Sequence, residues 1–412
     1  MGGGAFYLKH IRDQNAQRAE LQRATEEMAE RESGIESKLQ ANLEKKAAED
    51  RGMSAQEIVE LFGNATAQIT RAWRLYDQTT GRPIFHQTIK ARLAKMKEAR
   101  TCPAYVDLGK YGIVRWLTLE DDFRSNIPIG ERARGTGFAV SESGFMLTNK
   151  HVAAPWNLSF GQSDPATASE HACGWLYDYG TGPGAKEKKL RRPPTQLMDL
   201  DDDTYSALRR WVPAGGGIIF MKDWAVPIGE ESNVPDPTRS DTRTFYGRND
   251  VLEVRFANSR GSGNASLVRF SNDSDAALIK VDTPQQLKKL DIASDDVVTV
   301  GEPVIAVGFP SVAAPTVARS NTIEAGQYRE ITDVVPQPFV SEGIVAVISP
   351  AVKTENGVTV GGQLGDVIQM SINSTGAGNS GGPVFNKAGK VIGLFTYGRK
   401  KGGADTTEAV PI

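Results

Sequence analysis

Cysteine is almost missing from this chain: Cys102 and Cys173 are the only two among 412 residues. No disulfide framework can hold the fold, and a bridge between these two is not fixed by the sequence. Histidine is nearly as scarce, at four, and one His with one Cys in His171-Ala172-Cys173 falls short of a zinc set. An excess of either charge is also missing. Lys and Arg total 48 against 50 Asp and Glu, so no overall field draws the molecule to nucleic acid, and none is expected as a partner. No apolar run is long enough to span a bilayer, and no signal peptide with an apolar centre and a small-residue cleavage site is visible. The run Gly182-Pro183-Gly184-Ala185-Lys186 is followed by Glu187 instead of Ser or Thr, which excludes a phosphate loop. Asp199 to Asp203 lacks the glycine of a calcium loop. Neither a metal nor a cofactor is expected.

What the chain does have is 39% hydrophobic residues, enough for one large core or two. Its start, Gly2-Gly3-Gly4-Ala5-Phe6-Tyr7-Leu8 followed by Lys9, His10 and Arg12, reads either as the last turns of a membrane helix meeting its charged flank or as a flexible lead. From about Asp13 to Asp50 the residues are mainly Ala, Glu, Gln, Lys, Arg and Leu, with Gly34 as the single glycine. This is helix composition. Leu21, Met28 and Ile35 fall seven apart and Leu39 and Leu43 follow, a thin apolar stripe between charged faces. Arg31 and Lys38 occupy the second heptad position, so a coiled coil with another chain and packing on the rest of the protein both stay open. Ser54-Ala55-Gln56-Glu57 has the form of a capping box opening a short helix through Phe62, which Gly63 stops. A helical arm over residues 1–62 is expected, with a domain boundary near Gly63-Asn64.

Strand character follows. Gln68 to Leu75 alternates, Asp77 to Gly81 supplies turn residues, and Pro83 to His86 returns. A basic connecting helix is expected over about Lys90 to Arg100, then a strand over Gly112 to Thr118. Gly135 to Val140 and Phe145 to Val152 read as two strands around the tight turn Ser141 to Gly144, with His151 closing the second. Val251 to Phe256 and Ala265 to Phe270 form another hairpin. After it, Asp273 and Asp275 precede the apolar strand Ala276 to Val281.

Near the end of the chain stands Ser374-Thr375-Gly376-Ala377-Gly378-Asn379-Ser380-Gly381-Gly382-Pro383-Val384-Phe385-Asn386. Glycines on both sides of Ser380 allow backbone conformations closed to other residues, so a hydroxyl can stand out while N–H groups converge on one point. A bare glycine-rich turn with an incidental serine would look similar. Here Asp366 to Met370 leads in as a strand, and Pro383 to Asn386, a turn at Lys387 to Lys390 and Val391 to Thr396 lead out as strand, turn and strand. The serine thus lies between strands of an antiparallel sheet, unlike a strand-to-helix elbow.

In order and in local grammar, GTGFAVSESGFMLTNKHVA and GAGNSGGPVFN resemble the histidine and serine segments of trypsin-like serine proteases of the bacterial HtrA-like branch. The resemblance covers about residues 64–412, apart from insertions. It implies a mostly β fold, two six-stranded antiparallel β-barrels with a cleft between them, preceded by the helical arm. It also implies a serine endopeptidase acting through His151, Asp275 and Ser380, with Gly378, Asn379 and Ser380 around the oxyanion. Asp275 matches the family's segment before the apolar strand; Asp273 is the rival, with the bland role of a turn carboxylate. Ser374 aligns with the base of the primary pocket, and Thr396, Tyr397 and Gly398 with the substrate-binding edge. No acid stands at Ser374, and Phe395 replaces the histidine of glutamate-specific relatives. A small or medium apolar residue before the scissile bond is therefore the expected preference.

The expected protease domain is residues 63–412, with an insertion at about 157–249 read as solvated loop holding a few strands or a helix. Gly301 to Pro310 and Val340 to Val347 resemble the opening strands of the second barrel, and Ser311 to Gln337 reads as a long polar loop. Glu408 to Ile412 matches the last barrel strand, and no PDZ module is expected. The implied partners are a protein or peptide substrate, a second or third copy of the chain through the arm, and a membrane tether. The implied location is periplasmic or membrane-tethered, with the cytoplasm as the alternative. A chaperone or sensor that binds extended segments by edge-strand pairing is the competing function, as is a scaffold whose barrel only recognises.

Overall fold

The computed structural model describes residues 51–91, 126–157, 241–293, 298–311, 316–324, 327–350, 366–372, 376–401 and 404–412, parts of 100–119, 176–227 and 353–360, and scattered positions between 23 and 42. By its internal contacts the chain divides into two units, Met1–Ser54 and Ala55–Ile412. In the first unit the described residues between 23 and 42, among them 33–40, are helical and exposed. Leu21 and Leu43 lie outside the described residues. Among the described residues no helix is long and apolar enough to cross a membrane.

The second unit opens with α1 (Ala55–Phe62). It was expected at the end of the arm, yet it packs with the barrels: Ile58 is fully buried, Phe62 stacks on Phe385 with ring centroids 5.5 Å apart, and the Lys288 ammonium sits over the Phe62 ring. The division of the chain accordingly falls before this helix and not at Gly63-Asn64.

Twelve strands make the two barrels. The first contains β1 (Thr66–Asp77), β2 (Arg132–Ala139), β3 (Phe145–Thr148), β4 (Asp241–Phe256), β5 (Gly263–Phe270) and β6 (Ala277–Val281). They pair in the order β1-β2-β3-β6-β5-β4, and the pairing of β4 back on β1 closes the ring. The second contains β7 (Pro303–Gly308), β8 (Phe339–Ser349), β9 (Val367–Met370), β10 (Pro383–Phe385), β11 (Val391–Lys401) and β12 (Ala404–Pro411), closed in the order β7-β8-β9-β12-β11-β10. Every neighbouring pair is antiparallel. The two orders are the same, strand for strand, so the barrels are two copies of one topology. Closure removes the sheet edges that would otherwise invite pairing with other chains.

Period-two alternation fills each barrel. Ala67, Ile69, Met146, Val254, Ile279 and Val281 meet inside the first, and Val304, Val345, Ile368, Met370, Val384 and Ile392 inside the second. In β1 the inward side after Ile69 is the buried Arg71, its guanidinium 2.9 Å from Glu131. Burial lowers its pKa against the pull of Glu131. A bulge between Ala72 and Trp73 then turns Trp73 and Leu75 into a separate small core with Ile84, Leu117, Ile129 and Trp211.

That small core belongs to a sheet extending from the first half of β4. Gly217–Met221 pairs with β4, then Trp224–Pro227, Leu117–Thr118, Phe85–His86 and Ile127–Pro128 follow in turn. The insertion, read from sequence as solvated loop holding a few strands or a helix, supplies strands of which Gly217–Met221 and Trp224–Pro227 lengthen the barrel wall. Two expectations are corrected. Lys90 and Ala91 end the strand Thr88–Ala91 and Arg100 opens Arg100–Pro103, paired antiparallel, where a helix was expected; residues 92–99 lie outside the described ones. The loop after β7 contains a two-stranded hairpin, Thr316–Glu324 with Gln327–Val335.

Candidate active site

His151 follows β3 directly. It sits in a single helical turn, α2 (Lys150–Ala153), and not on the strand itself. The turn forms because Asn149 leaves β3 in extended conformation and its carbonyl accepts from Val152 and Ala153. Across from it, Ala277 at the start of β6 pairs with Thr148, which brings Asp275, two residues earlier, level with the turn.

Asp275 is 1% exposed and grips His151 twice. Its Oδ2 lies 2.7 Å from His151 Nδ1, and its Oδ1 accepts the His151 backbone N–H at 2.9 Å. Its own carbonyl accepts from Lys150 N and from Asn149 Nδ2. Asp273 is exposed, and the turn is closed by the Ser271 hydroxyl, which accepts from Asp273 N and Ser274 N. The turn-carboxylate role expected of Asp273 falls to that serine. Lys150 Nζ donates to the Ser271 carbonyl at 2.8 Å above the Phe270 ring. Burial lowers the Lys150 pKa, opposed by the carboxylates of Asp275 and Asp273.

Ser380 stands just before β10, in the turn between the third and fourth strands of the second barrel. His151 leaves the same connection of the first barrel. The Ser380 hydroxyl donates to the Thr396 carbonyl at 2.8 Å. Thr396 is the residue at a register shift in β11 between Phe395 and Tyr397, and its Oγ1 accepts from Asn149 Nδ2 at 3.2 Å. Asn149 therefore bridges the carbonyl of Asp275 in one barrel and Thr396 in the other, a role its place in the Leu-Thr-Asn run does not announce.

The backbone around Ser380 is held from several sides. Gly378 has φ +110° and Gly381 φ +88°. A Cβ at Gly381 would come within 2.2 Å of both Thr136 O and Thr148 Oγ1. The Ala377 carbonyl accepts from Ser311 N and Oγ at 2.8 and 2.9 Å, and the Gly378 carbonyl from Thr136 Oγ1 at 2.7 Å. The Ser380 carbonyl accepts from Thr136 N at 2.8 Å. The Gly378 and Ser380 N–H groups donate to no other group among the described residues. Asn379 is buried, with its side chain against Gly308. Ser374 lies outside the described residues. Tyr397 and Gly398 lie in β11; Phe395 still exchanges backbone hydrogen bonds with Gly381 and Gly382, and beyond it that strand is paired, among the described residues, by β12 alone. A free strand edge therefore runs beside Ser380.

These features define a class. Residues 234–394 match the trypsin-like peptidase domain family; that span contains Asp275 and Ser380 and begins after His151, which the long insertion separates from it. Among curated proteins, a probable periplasmic serine endoprotease, DegP-like, of Pseudomonas fluorescens is 30% identical over 165 residues, 40% of this chain and 28% of the relative. The chain thus matches under a third of that relative's length. An HtrA-type protease solved with a decapeptide aligns over 87% of this chain and 63% of its own, at 14% identity and a TM-score of 0.39. Residues 234–394 are thus similar to trypsin-like peptidase domains, and 165 residues of the chain to part of a DegP-like serine endoprotease.

Proposed function

We propose that the protein is a serine endopeptidase in which Ser380 is the nucleophile, His151 the general base and acid, and Asp275 the group that orients the imidazole. The observation that carries this is the double grip of the buried Asp275 carboxylate on His151. A carboxylate only accepts, so it keeps the proton on Nδ1 and leaves the Nε2 lone pair for Ser380. The hydroxyl exchanges its bond to the Thr396 carbonyl for one to Nε2. That trade of one hydrogen bond for another costs about 1 kcal/mol or less.

Ser380 Oγ then bonds to the peptide carbonyl carbon as its proton passes to Nε2, and the carbonyl π pair moves to oxygen. Asp275 stabilises the imidazolium. The N–H groups of Gly378 and Ser380 receive the oxyanion, each contributing about 3 kcal/mol. Collapse expels the amine, which takes the proton from Nε2, and water releases the acyl group by the same steps. A protein or peptide substrate adds as a strand along the free edge at Thr396, Tyr397 and Gly398. By the serine motif, which carries no acid at Ser374, the preferred residue before the scissile bond is small or medium and apolar.

The arm gives the chain a second copy of itself as partner. Met28, Ile35 and Leu39 are 71%, 67% and 58% exposed, a helical stripe that the described residues of its own unit leave uncovered, and pairing between chains buries it. The proposed activity is tested with a fluorophosphonate probe and unfolded casein. The parent should label and cleave, and Ser380→Ala should do neither; equal cleavage by both defeats the reading.

A further inference from the structure

We propose that Thr136, in β2 of the first barrel, is a positioning residue for the oxyanion site of the second. The inference rests on the serine protease reading above and adds a residue to it. Gly378 has no Cβ, and at φ +110° it occupies a region other residues avoid. Its two flanking peptides can therefore rotate unless something outside the turn holds them. Rotation matters because a trans peptide points its C=O and its N–H in opposite directions. A carbonyl turned inward presents a negative end where the oxyanion must form.

Three carbonyls of the turn are held away. Ser311 holds Ala377, and its grip is at the surface. Thr136 holds the other two: its hydroxyl donates to Gly378 O and its backbone N–H to Ser380 O. The same hydroxyl accepts the Phe309 N–H at 3.1 Å, which fixes the direction of its proton toward Gly378. Thr136 is 0% exposed, so no water stands ready to replace it. Without the hydroxyl, the Gly378 carbonyl and the Phe309 N–H lose their buried partners together, and reorientation of the glycine peptide becomes the available remedy. The Gly378–Asn379 peptide held by Thr136 joins the residues on either side that carry the two oxyanion N–H groups, Gly378 and Ser380, so its rotation misaims both. The transition state suffers more than the bound substrate, because the oxyanion draws on those two N–H groups most strongly.

The test compares parent, Thr136→Val and Thr136→Ser on a chromogenic peptide, with rates normalised to sites titrated to completion by fluorophosphonate. Thr136→Val keeps shape and removes the hydroxyl. It should lower kcat about 10- to 100-fold with KM within about threefold, and weaken a peptide boronate, which mimics the tetrahedral state, by the same factor as kcat/KM. Thr136→Ser should recover most of both. If Thr136→Val folds poorly, Thr136→Ala and Thr136→Cys read the same split. Normal kcat per titrated site and normal boronate affinity in the hydroxyl-free variants, even with lowered thermal stability, overturn the proposal and leave Thr136 a packing residue. A parent that neither labels nor cleaves overturns the protease reading instead.

Discussion

Replacement of Asp275 by Asn changes one oxygen into an amide nitrogen at a place where two donors already converge. The His151 backbone N–H at 2.9 Å cannot change its role. The single remaining oxygen is therefore taken by that N–H, and the new NH2 faces Nδ1 at about the present 2.7 Å. Nδ1 must then accept, the proton moves to Nε2, and the atom that should take the Ser380 proton has no free pair. The opposite amide orientation serves Nδ1 but sets NH2 against a buried N–H, a penalty of about 1–3 kcal/mol. The imidazolium also loses its charged partner. Together these effects should lower kcat by roughly four orders of magnitude, about 5.5 kcal/mol of transition-state stabilisation. Steady-state hydrolysis of a peptide substrate measures it, beside urea unfolding to show that Asp275→Asn still folds. Asp273→Asn, at an exposed carboxylate, should stay within about twofold of the parent. A loss under tenfold for Asp275→Asn, or exchange of the two phenotypes, refutes the reasoning.

Gly381→Ala meets both a positive φ and two atoms at 2.2 Å; it should cost about 2–6 kcal/mol by urea unfolding. Gly301→Ala, at φ +90° with nothing within 4 Å, should cost only about 1–2 kcal/mol, and equal losses would deny the clash. Lys150 has a folded pKa below its ordinary 10.5, so the unfolded chain binds more protons and stability rises with pH toward that value. Lys150→Met should flatten this rise, read by denaturant midpoints up to about pH 10, below the range where the raised pKa of Tyr76 works the other way. Deletion of residues 1–54 should reduce the mass by light scattering and leave peptide hydrolysis intact. Deletion of residues 1–62 should also lower stability by about 1.5–3 kcal/mol for Ile58 alone; an unchanged mass in both would move any self-contact to the barrels.

Strands flanked by turn residues were legible because alternation and glycine turns are local signals. The turn Asn386 to Lys390 between β10 and β11 is such a case: the Asn386 side chain accepts from Ala388 N and Lys390 N. The stretch Lys90 to Arg100 misled because basic, unbranched residues fit a helix by propensity, while its ends are recruited as paired strands. In the insertion, Gly217 to Phe220 carried the apolar run of a strand, but its partners, Asp241 to Thr244 and Ala225 to Pro227, could not be matched by composition. The Thr148–Ala277 register brings the carboxylate of Asp275 to His151 and leaves that of Asp273 exposed, a difference that two neighbouring aspartates in a sequence do not display. Thr136 and Asn149 were quoted within their motifs without a role. Their bonds run to Gly378 and Thr396, more than two hundred residues along the chain, and no local pattern encodes such a bond.

The repeated strand order explains why so long an insertion leaves the site intact. His151 and Ser380 both lie in the connection between a third and a fourth strand, one in each copy. In the second barrel that connection is short, from Met370 to Pro383; in the first it runs from Thr148 to Asp241. Added loop length costs little, about 0.6 kcal/mol for each doubling. What must be preserved is the geometry at the two ends. At one end α2 is tied to Asp275 and, through Asn249 Nδ2 on the Ala153 carbonyl, to β4 itself. At the other, β4 pairs with β1 along almost its whole length, from Phe245 to Phe256. Trp156, just beyond α2, packs beside Trp73 and over Gly247, where a Cβ would meet its ring at 1.9 Å. The insertion is therefore anchored to the β1–β4 ribbon as soon as it leaves the His151 turn, and its strands Gly217–Met221 and Trp224–Pro227 extend from that ribbon, so strain passing through these described segments must break these contacts before it reaches His151.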